Sequence, residues 1–285
     1  MESIRSALSE TFGSLTGGSE ILKVPASELV ACANPWTIRH RCVQSSRKYV
    51  AARRADESVP PWERLDGYAG SGQTTSYGGL TLTYMNSGRL SSVNQGGTAT
   101  TYLTNALGQR IEKSGASVTL FVYDESGHLL GEYDGAGHLI EETIWMGDVP
   151  VAVLQPSGTG VATYYVHTDH LNTPRRISRP ADNVIVWRWD SEPFGFALPN
   201  QDPNGDGQMF VYNLRYPGQY YDVEMGINHN YFRDYDPGTG RYVESDPIGI
   251  FAGVNTYAYV HGSPASFADS IGLLDNTSPW QLGWE

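Results

Sequence analysis

Tyr123-Asp-Glu-Ser-Gly127-His-Leu129 and, four residues further on, Tyr133-Asp-Gly-Ala-Gly137-His-Leu139 are two copies of one pattern. Tyr84-Met-Asn-Ser-Gly88-Arg-Leu90 repeats the spacing, and Thr101 to Lys113 (TYLTNALGQRIEK) reads as a stretched version of it. The pattern describes a hairpin. Asp or Asn with Gly supplies the turn, and Tyr and Leu fall on strands to either side. A single unit of this kind has nothing to cover its apolar face, so the units must stack on one another. The expected fold class is therefore mainly β, built of stacked short antiparallel hairpins.

At 285 residues the chain can bury a sizeable core, in one or two domains. Charged residues make up only 18%, against 32 Gly and 18 Tyr, a balance that favours short strands and tight turns over long amphipathic helices. The net charge of -12 is unevenly spread: residues 1 to 66 carry nine Lys/Arg against eight Asp/Glu, residues 201 to 285 three against eleven. An acidic C-terminal third argues against a nucleic-acid partner, because phosphate binding needs a basic face. The start, MESIRSALSETFGSL, lacks the apolar stretch of a signal peptide, and no run approaches the ~18 apolar residues of a membrane span. The expectation is a chain without a membrane span, cytoplasmic before export or exported by a route that reads no cleavable N-terminal signal.

Residues 1 to 66 stand apart as an atypical N-terminal segment, interrupted by Gly17-Gly18, Pro25 and Pro35 and closed by Pro60-Pro61. Its stretch from Arg39 to Arg54 concentrates six of the 19 basic residues, as either a docking patch or a solvated, disordered arm. Cys32 and Cys42, ten residues apart, demand neither a disulfide nor a metal.

The stretch from Met209 to Asp275 contains one small unit twice, Asp246-Pro-Ile-Gly249 and Asp269-Ser-Ile-Gly272. Two carboxyl groups near enough to share a proton support aspartic-peptidase chemistry, the ionised one activating water and the protonated one donating to the carbonyl oxygen. The residues by themselves favour a blander reading, two turn aspartates that cap their own backbone. Asp202-Pro-Asn204-Gly-Asp206-Gly207 looks like the first half of an EF-hand loop, but Asn213 stands where a bidentate Glu belongs, so a plain turn is expected. His167 and His170 flank Asp169 without an evident third metal ligand. Trp187 and Trp189 share one face of a strand, as a carbohydrate or peptide platform or, more in keeping with their neighbours, as core. There is no Gly-x-Ser-x-Gly elbow, P-loop, CxxC pair or His-Glu-x-x-His, and neither a metal nor a cofactor is called for.

The Tyr-Asp-x-x-Gly-x-Leu units resemble YD repeats, the building blocks of RHS proteins and of the related teneurin and toxin-complex shells. The likeness strengthens through Tyr164 to Pro174, Val186-Trp187-Arg188-Trp189-Asp190 and Pro193-Phe194-Gly195. It is strongest in Asn213-Leu-Arg-Tyr-Pro217-Gly218-Gln219-Tyr220-Tyr221-Asp222 and in Asn230 to Tyr242, which are similar to the RHS repeat-associated core. The resemblance covers about residues 80 to 273 and divides the chain into a YD-repeat β region (67–160), a core (161–273) and a residual tail (274–285).

In that family the repeats spiral into a hollow β shell around a C-terminal toxin, and the core curls inward as a plug. The resemblance implies a single-turnover aspartyl self-cleavage in cis. Asp246 and Asp269 would be the acid pair, Arg233 the assisting residue, and Leu273–Leu274 the scissile bond. Ser270 departs from the Pro usual at that position. The twelve residues after the cut, LDNTSPWQLGWE, are too few for a folded toxin. The partners implied are the chain's own C-terminal peptide or a lost toxin, and a spike or adaptor protein of a type VI or similar secretion system. Unpaired sheet edges add self-association. The competing readings are a non-catalytic YD-repeat surface protein and an inactive remnant without its toxin.

Overall fold

The structure is a computed structural model and describes residues 65 to 273. Cys32, Cys42, the basic stretch from Arg39 to Arg54, Pro60-Pro61, Leu274 and the tail to Glu285 lie outside the described residues. Thirteen strands pair in chain order as one antiparallel meander: β1 (Leu65–Tyr68), β2 (Thr74–Tyr77), β3 (Leu80–Tyr84), β4 (Leu90–Gln95), β5 (Thr98–Thr104), β6 (Arg110–Ser114), β7 (Val118–Tyr123), β8 (Leu129–Asp134), β9 (Leu139–Met146), β10 (Val149–Ser157), β11 (Gly160–Thr168), β12 (Pro174–Arg179) and β13 (Val184–Arg188). Four more, β14 (Tyr220–Asp222), β15 (Ile227–Asn230), β16 (Arg233–Asp236) and β17 (Arg241–Tyr242), form a second antiparallel sheet. The fold is nearly all β. Among the described residues no helix is long and apolar enough to cross a membrane.

The repeated pattern makes one hairpin, and the reason lies in two of its residues. Asp124 Oδ1 accepts the amides of Ser126 and His128, at 2.9 and 2.8 Å, and Gly127 takes φ 90°, a conformation a side chain would strain. Tyr123 then pairs with Leu129, Tyr133 with Leu139 and Tyr84 with Leu90, each across a local shift in register.

The segment from Thr101 to Lys113 is not stretched. Thr104 pairs with Arg110 over a turn of the ordinary length, in which Asn105 Oδ1 accepts the amides of Leu107 and Gln109. Thr104 and Arg110 occupy the Tyr and Leu places. Two further turns of this kind were hidden in the sequence. Tyr68 pairs with Thr74 around Gly72, and Thr168 with Pro174 around Asn172, which carries the positive φ of 63° usually left to Gly.

One face of the meander closes on residues 209 to 273, which fill it as a plug. Trp187, Tyr212, Tyr216, Tyr235, Tyr242 and Tyr259 pack with Val153, Ile177 and others in the larger core, and Ile227, Met225 and Val243 pack with Tyr77, Leu80, Leu82 and Val93 in the smaller one. Trp187 stands edge-on to Tyr212, and Trp189 Nε1 donates to Ala197 O at 2.6 Å, so both tryptophans are core and not a platform.

Charge also crosses the seam. Arg110, only 2% exposed, ion-pairs with Asp222 and lies 3.7 Å from Asp234, while Lys113 reaches Asp222 at 3.2 Å and Glu224 at 3.3 Å. A buried cation needs such partners, so the sheet can bury Arg110 only where the plug supplies carboxylates.

Glu132 on β8 lies directly opposite Glu141 on β9, and both are buried. Tyr220 of the plug donates to Glu132 at 2.8 Å, and Gln155 to Glu141 at 3.0 Å. Burial pushes Glu132 up to about 7 and Glu141 well above the usual range, Glu141 further because Glu132 is its neighbour. A carboxyl whose folded value is raised favours the fold while protonated and weighs against it once ionised. Stability should therefore fall as pH rises from about 4.5 through about 7. The urea midpoint should drop between pH 5 and pH 8, and Glu141→Gln should make that drop smaller by removing one of the facing acids.

Candidate functional site

Asn230 ends β15 and pairs with Arg233 at the start of β16, across a tight turn in which Tyr231 takes φ 48°. Tyr242 ends β17, which pairs back onto β16. These strands present Asn230, Arg233 and Tyr242 to the loop from Asp269 to Leu273. The loop lies against main chain on both sides. Phe232 N donates to Ile271 O at 3.1 Å, a Cβ at Gly272 would sit 2.3 Å from Asn230 O, and one at Gly218 only 1.9 Å from Ser270 O. Both glycines, at φ 73° and 79°, are required by this close approach.

Arg233 is the hub. Its Nε donates to Gly272 O at 2.5 Å and its Nη1 to Thr256 O at 3.1 Å. Its Nη2 lies 2.8 Å from Asp246 Oδ2 and 3.4 Å from Asp269 Oδ2, and the guanidinium rests 3.6 Å from the centre of the Tyr242 ring. The three residues predicted from sequence are thus brought together and buried, with both acids on one nitrogen. The two carboxylate oxygens can be no further apart than those two distances combined, and Arg233 links them.

The acids differ in their surroundings. Asp269 Oδ1 accepts the amides of Gly272 and Leu273 at 2.8 and 3.0 Å, and its Oδ2 accepts the Tyr242 hydroxyl at 2.8 Å and a longer bond from Arg233. Asp246 Oδ1 accepts the Ile248 amide at 2.9 Å, whereas its Oδ2 has only the charge contact with Arg233 and no donor in hydrogen-bonding geometry. Burial pushes Asp246 up to about 6, with Arg233 opposing and Asp269 adding. Burial raises Asp269 as well, against the pull of Arg233, Tyr242 and the two amides. Asp269 thus has the donors of a carboxylate, and Asp246 has room for a proton. Each also caps its own turn, so the blander reading holds alongside the ion pairs.

The remaining candidates lie elsewhere. Asp202 accepts the amides of Asp206 and Gly207, and Asn204 donates to Asp206, so the loop is a turn closed on itself. His167 contacts Ser178 Oγ at 2.8 Å, and His170 contacts Ala265 O at 3.0 Å. The sequence reading missed Asn230, Tyr242 and Thr256 as parts of the site. The first two bound the Asn230 to Tyr242 run, yet nothing in their spacing marks them as facing an acid 39 and 27 residues later.

No protein-family model matches the chain. Toxin protein Tse5 of Pseudomonas aeruginosa is 36% identical over 112 residues, 39% of this chain and 8% of that protein. Probable deoxyribonuclease RhsB of Dickeya dadantii is 31% identical over 140 residues, 48% of this chain and 9% of that protein. The chain carries an RHS-related domain. The RHS relation is joined by a likeness of fold: the crystal structure of TcdB2-TccC3-TEV superposes with a TM-score of 0.56 at 19% identity, over 72% of this chain and 10% of that one. The chain spans less than a tenth of the length of either curated relative.

Removing the hub should be costly. Arg233→Ala leaves two buried carboxyls without their cation and should lower unfolding stability by about 3–5 kcal/mol at neutral pH. Urea denaturation measures it, and Asp246→Asn, which leaves no charge unpaired, should cost clearly less.

Proposed function

We propose that this chain is the closing, plug-bearing part of an RHS-type shell and that Asp246, Asp269 and Arg233 cut the Leu273–Leu274 bond once, in cis. The observation that carries the reading is the placement of both acids on one Arg233 nitrogen while the same guanidinium and Asp269 grip Gly272 and Leu273. Positioning of this kind supplies much of the effect of a site whose substrate is already attached.

In this reading Asp269 is the ionised member and Asp246 the protonated one. Water adds its oxygen to the Leu273 carbonyl carbon and gives a proton to Asp269, while Asp246 gives its proton to the carbonyl oxygen. The carbon–nitrogen bond then breaks as Asp269 passes its proton to the nitrogen of Leu274 and a gem-diol hydroxyl returns one to Asp246, which leaves the carboxyl group on Leu273, ionised once its proton passes to water, and both acids as they began. Arg233 steadies the negative charge throughout. Because the acid role needs protonated Asp246, cleavage should slow as pH rises above about 6.

The cut would free the segment from Leu274 onward, the peptide or a toxin that the shell encloses. The relatives named as toxins and the TcdB2–TccC3 complexes support a setting with partner proteins, among them the secretion-system components that the resemblance implies. Among the described residues β1 is paired on one side only, which supports addition of further strands, or self-association. A second reading also has support: the turn-capping bonds of both acids fit a triad that only fixes the last loop of the plug, as in a non-catalytic or inactive RHS protein.

Intact mass separates them. At pH 5 to 7 the parent should lose residues 274–285 while Asp246→Asn and Asp269→Asn stay whole. A full-length mass in all three would leave the structural reading, and a cut between Asp246 and Pro247 would point to acid lability of that bond.

A further inference from the structure

Three groups of residues outside the triad invite a role: the facing acids Glu132 and Glu141, the exposed Ile250, Phe251 and Val254 beyond Asp246, and the pair Asn230 and Tyr242. The last bears directly on the chemistry. We infer that Asn230 and Tyr242 act as a positioning pair that fixes the direction of the hydrogen bond into Asp269 and so holds that acid ionised. The inference rests on the self-cleavage reading for its effect on rate, and on geometry alone for its effect on Asp269.

The main-chain carbonyl of Asp269 can only accept. Asn230 faces it at 2.8 Å, so the side-chain atom there must be the amide nitrogen Nδ2. The same Nδ2 lies 2.8 Å from the Tyr242 hydroxyl and donates to it. A hydroxyl has one proton, and with its oxygen already accepting from Asn230, that proton goes to the atom on its other side. That atom is Asp269 Oδ2, at 2.8 Å. The bond therefore runs from Tyr242 to Asp269 and favours the carboxylate over the acid.

The Tyr242 ring adds a second constraint, since it lies beneath the Arg233 guanidinium and keeps that cation between the two acids. Among the described residues the titratable groups that face Asp269 are Arg233 from β16, Tyr242 from β17, Asp246 beyond β17, and Tyr259, whose hydroxyl feels the Asp269 charge. Of the neutral ones, Tyr242 alone bonds the carboxylate through its side chain among the hydrogen bonds described. The hydrogen bonds described for Asn230 and Tyr242 run to each other and to Asp269, so they act through that acid and their part is positioning.

Tyr242→Phe is the decisive variant because it removes the proton and keeps the ring. Asp269 should titrate about one pH unit higher. The acid limb of the self-cleavage profile should move up by the same amount, with the rate near that limb down about tenfold and recovery at higher pH. Asn230→Ala, which frees the hydroxyl to turn, should shift both in the same direction by less. The titration is read from the Asp269 carboxyl carbon by NMR, with and without Tyr242→Phe, in the full chain bearing Asp246→Asn so that it stays uncleaved. An unmoved Asp269 midpoint in a folded Tyr242→Phe chain would overturn the inference, as would a rate loss equal at every pH, which marks a structural defect. A shifted midpoint in a chain whose parent never cleaves would uphold the positioning pair and remove the self-cleavage reading instead.

Discussion

A charged group withdrawn from water must meet its counter-charge at once, and this requirement governs how the two sheets of the protein meet. Arg110 stands on the meander at a place where its sister hairpins put Leu, and its carboxylates come from β14 and β16 of the plug. Arg233 belongs to the plug and gathers Asp246, Asp269 and the carbonyls of Gly272 and Thr256. Arg110 could not stay buried if the plug were displaced, and apolar contacts alone would tolerate more sliding. The seam is held in register by charge and made dry by the aromatic clusters on either side of it.

The same economy explains the asymmetry of the acid pair. Two carboxyls on one guanidinium nitrogen share a cation, but they do not share surroundings. The tight turn at Asp269 aims two amides at one oxygen, and the strand pairing of β16 and β17 brings a hydroxyl and a guanidinium to the other. The turn at Asp246 supplies a single amide. Backbone geometry, set by Gly218 and Gly272 where chains nearly touch, thus decides which acid is better solvated by the protein.

Much of the architecture was legible in the residues because its unit is local. Tyr followed four residues later by Gly and six later by Leu describes a turn whose bonds close within five residues, and that pattern announced the hairpins around Gly88, Gly127 and Gly137. The units that escaped did so for the same reason. Asn172 stands in for Gly, Ala69 for Asp, and Arg110 for Leu, the last matched by Asp222 far along the chain. The triad could be named only through its resemblance to a family, since spacing brings Asp246 and Asp269 no closer than any two turn aspartates. Tyr242 and Asn230 were invisible, because a tyrosine that faces an acid and one that faces a leucine look alike in a string of letters.

The meander's pairings join neighbours in sequence, whereas a few bonds tie its first hairpin to the far end of the chain. Thr74 donates to Val243 O, Ser245 N to Gly72 O, and Tyr257 to Gly72 O. Hairpins of short reach can zip as the chain lengthens, but these ties close a loop of some 170 residues and come late on entropic grounds. Asp246 follows immediately after one of them. The main chain that carries this acid is thus anchored, one residue before it, to the opening hairpin, so the two ends of the described chain share one anchor beside the acid pair.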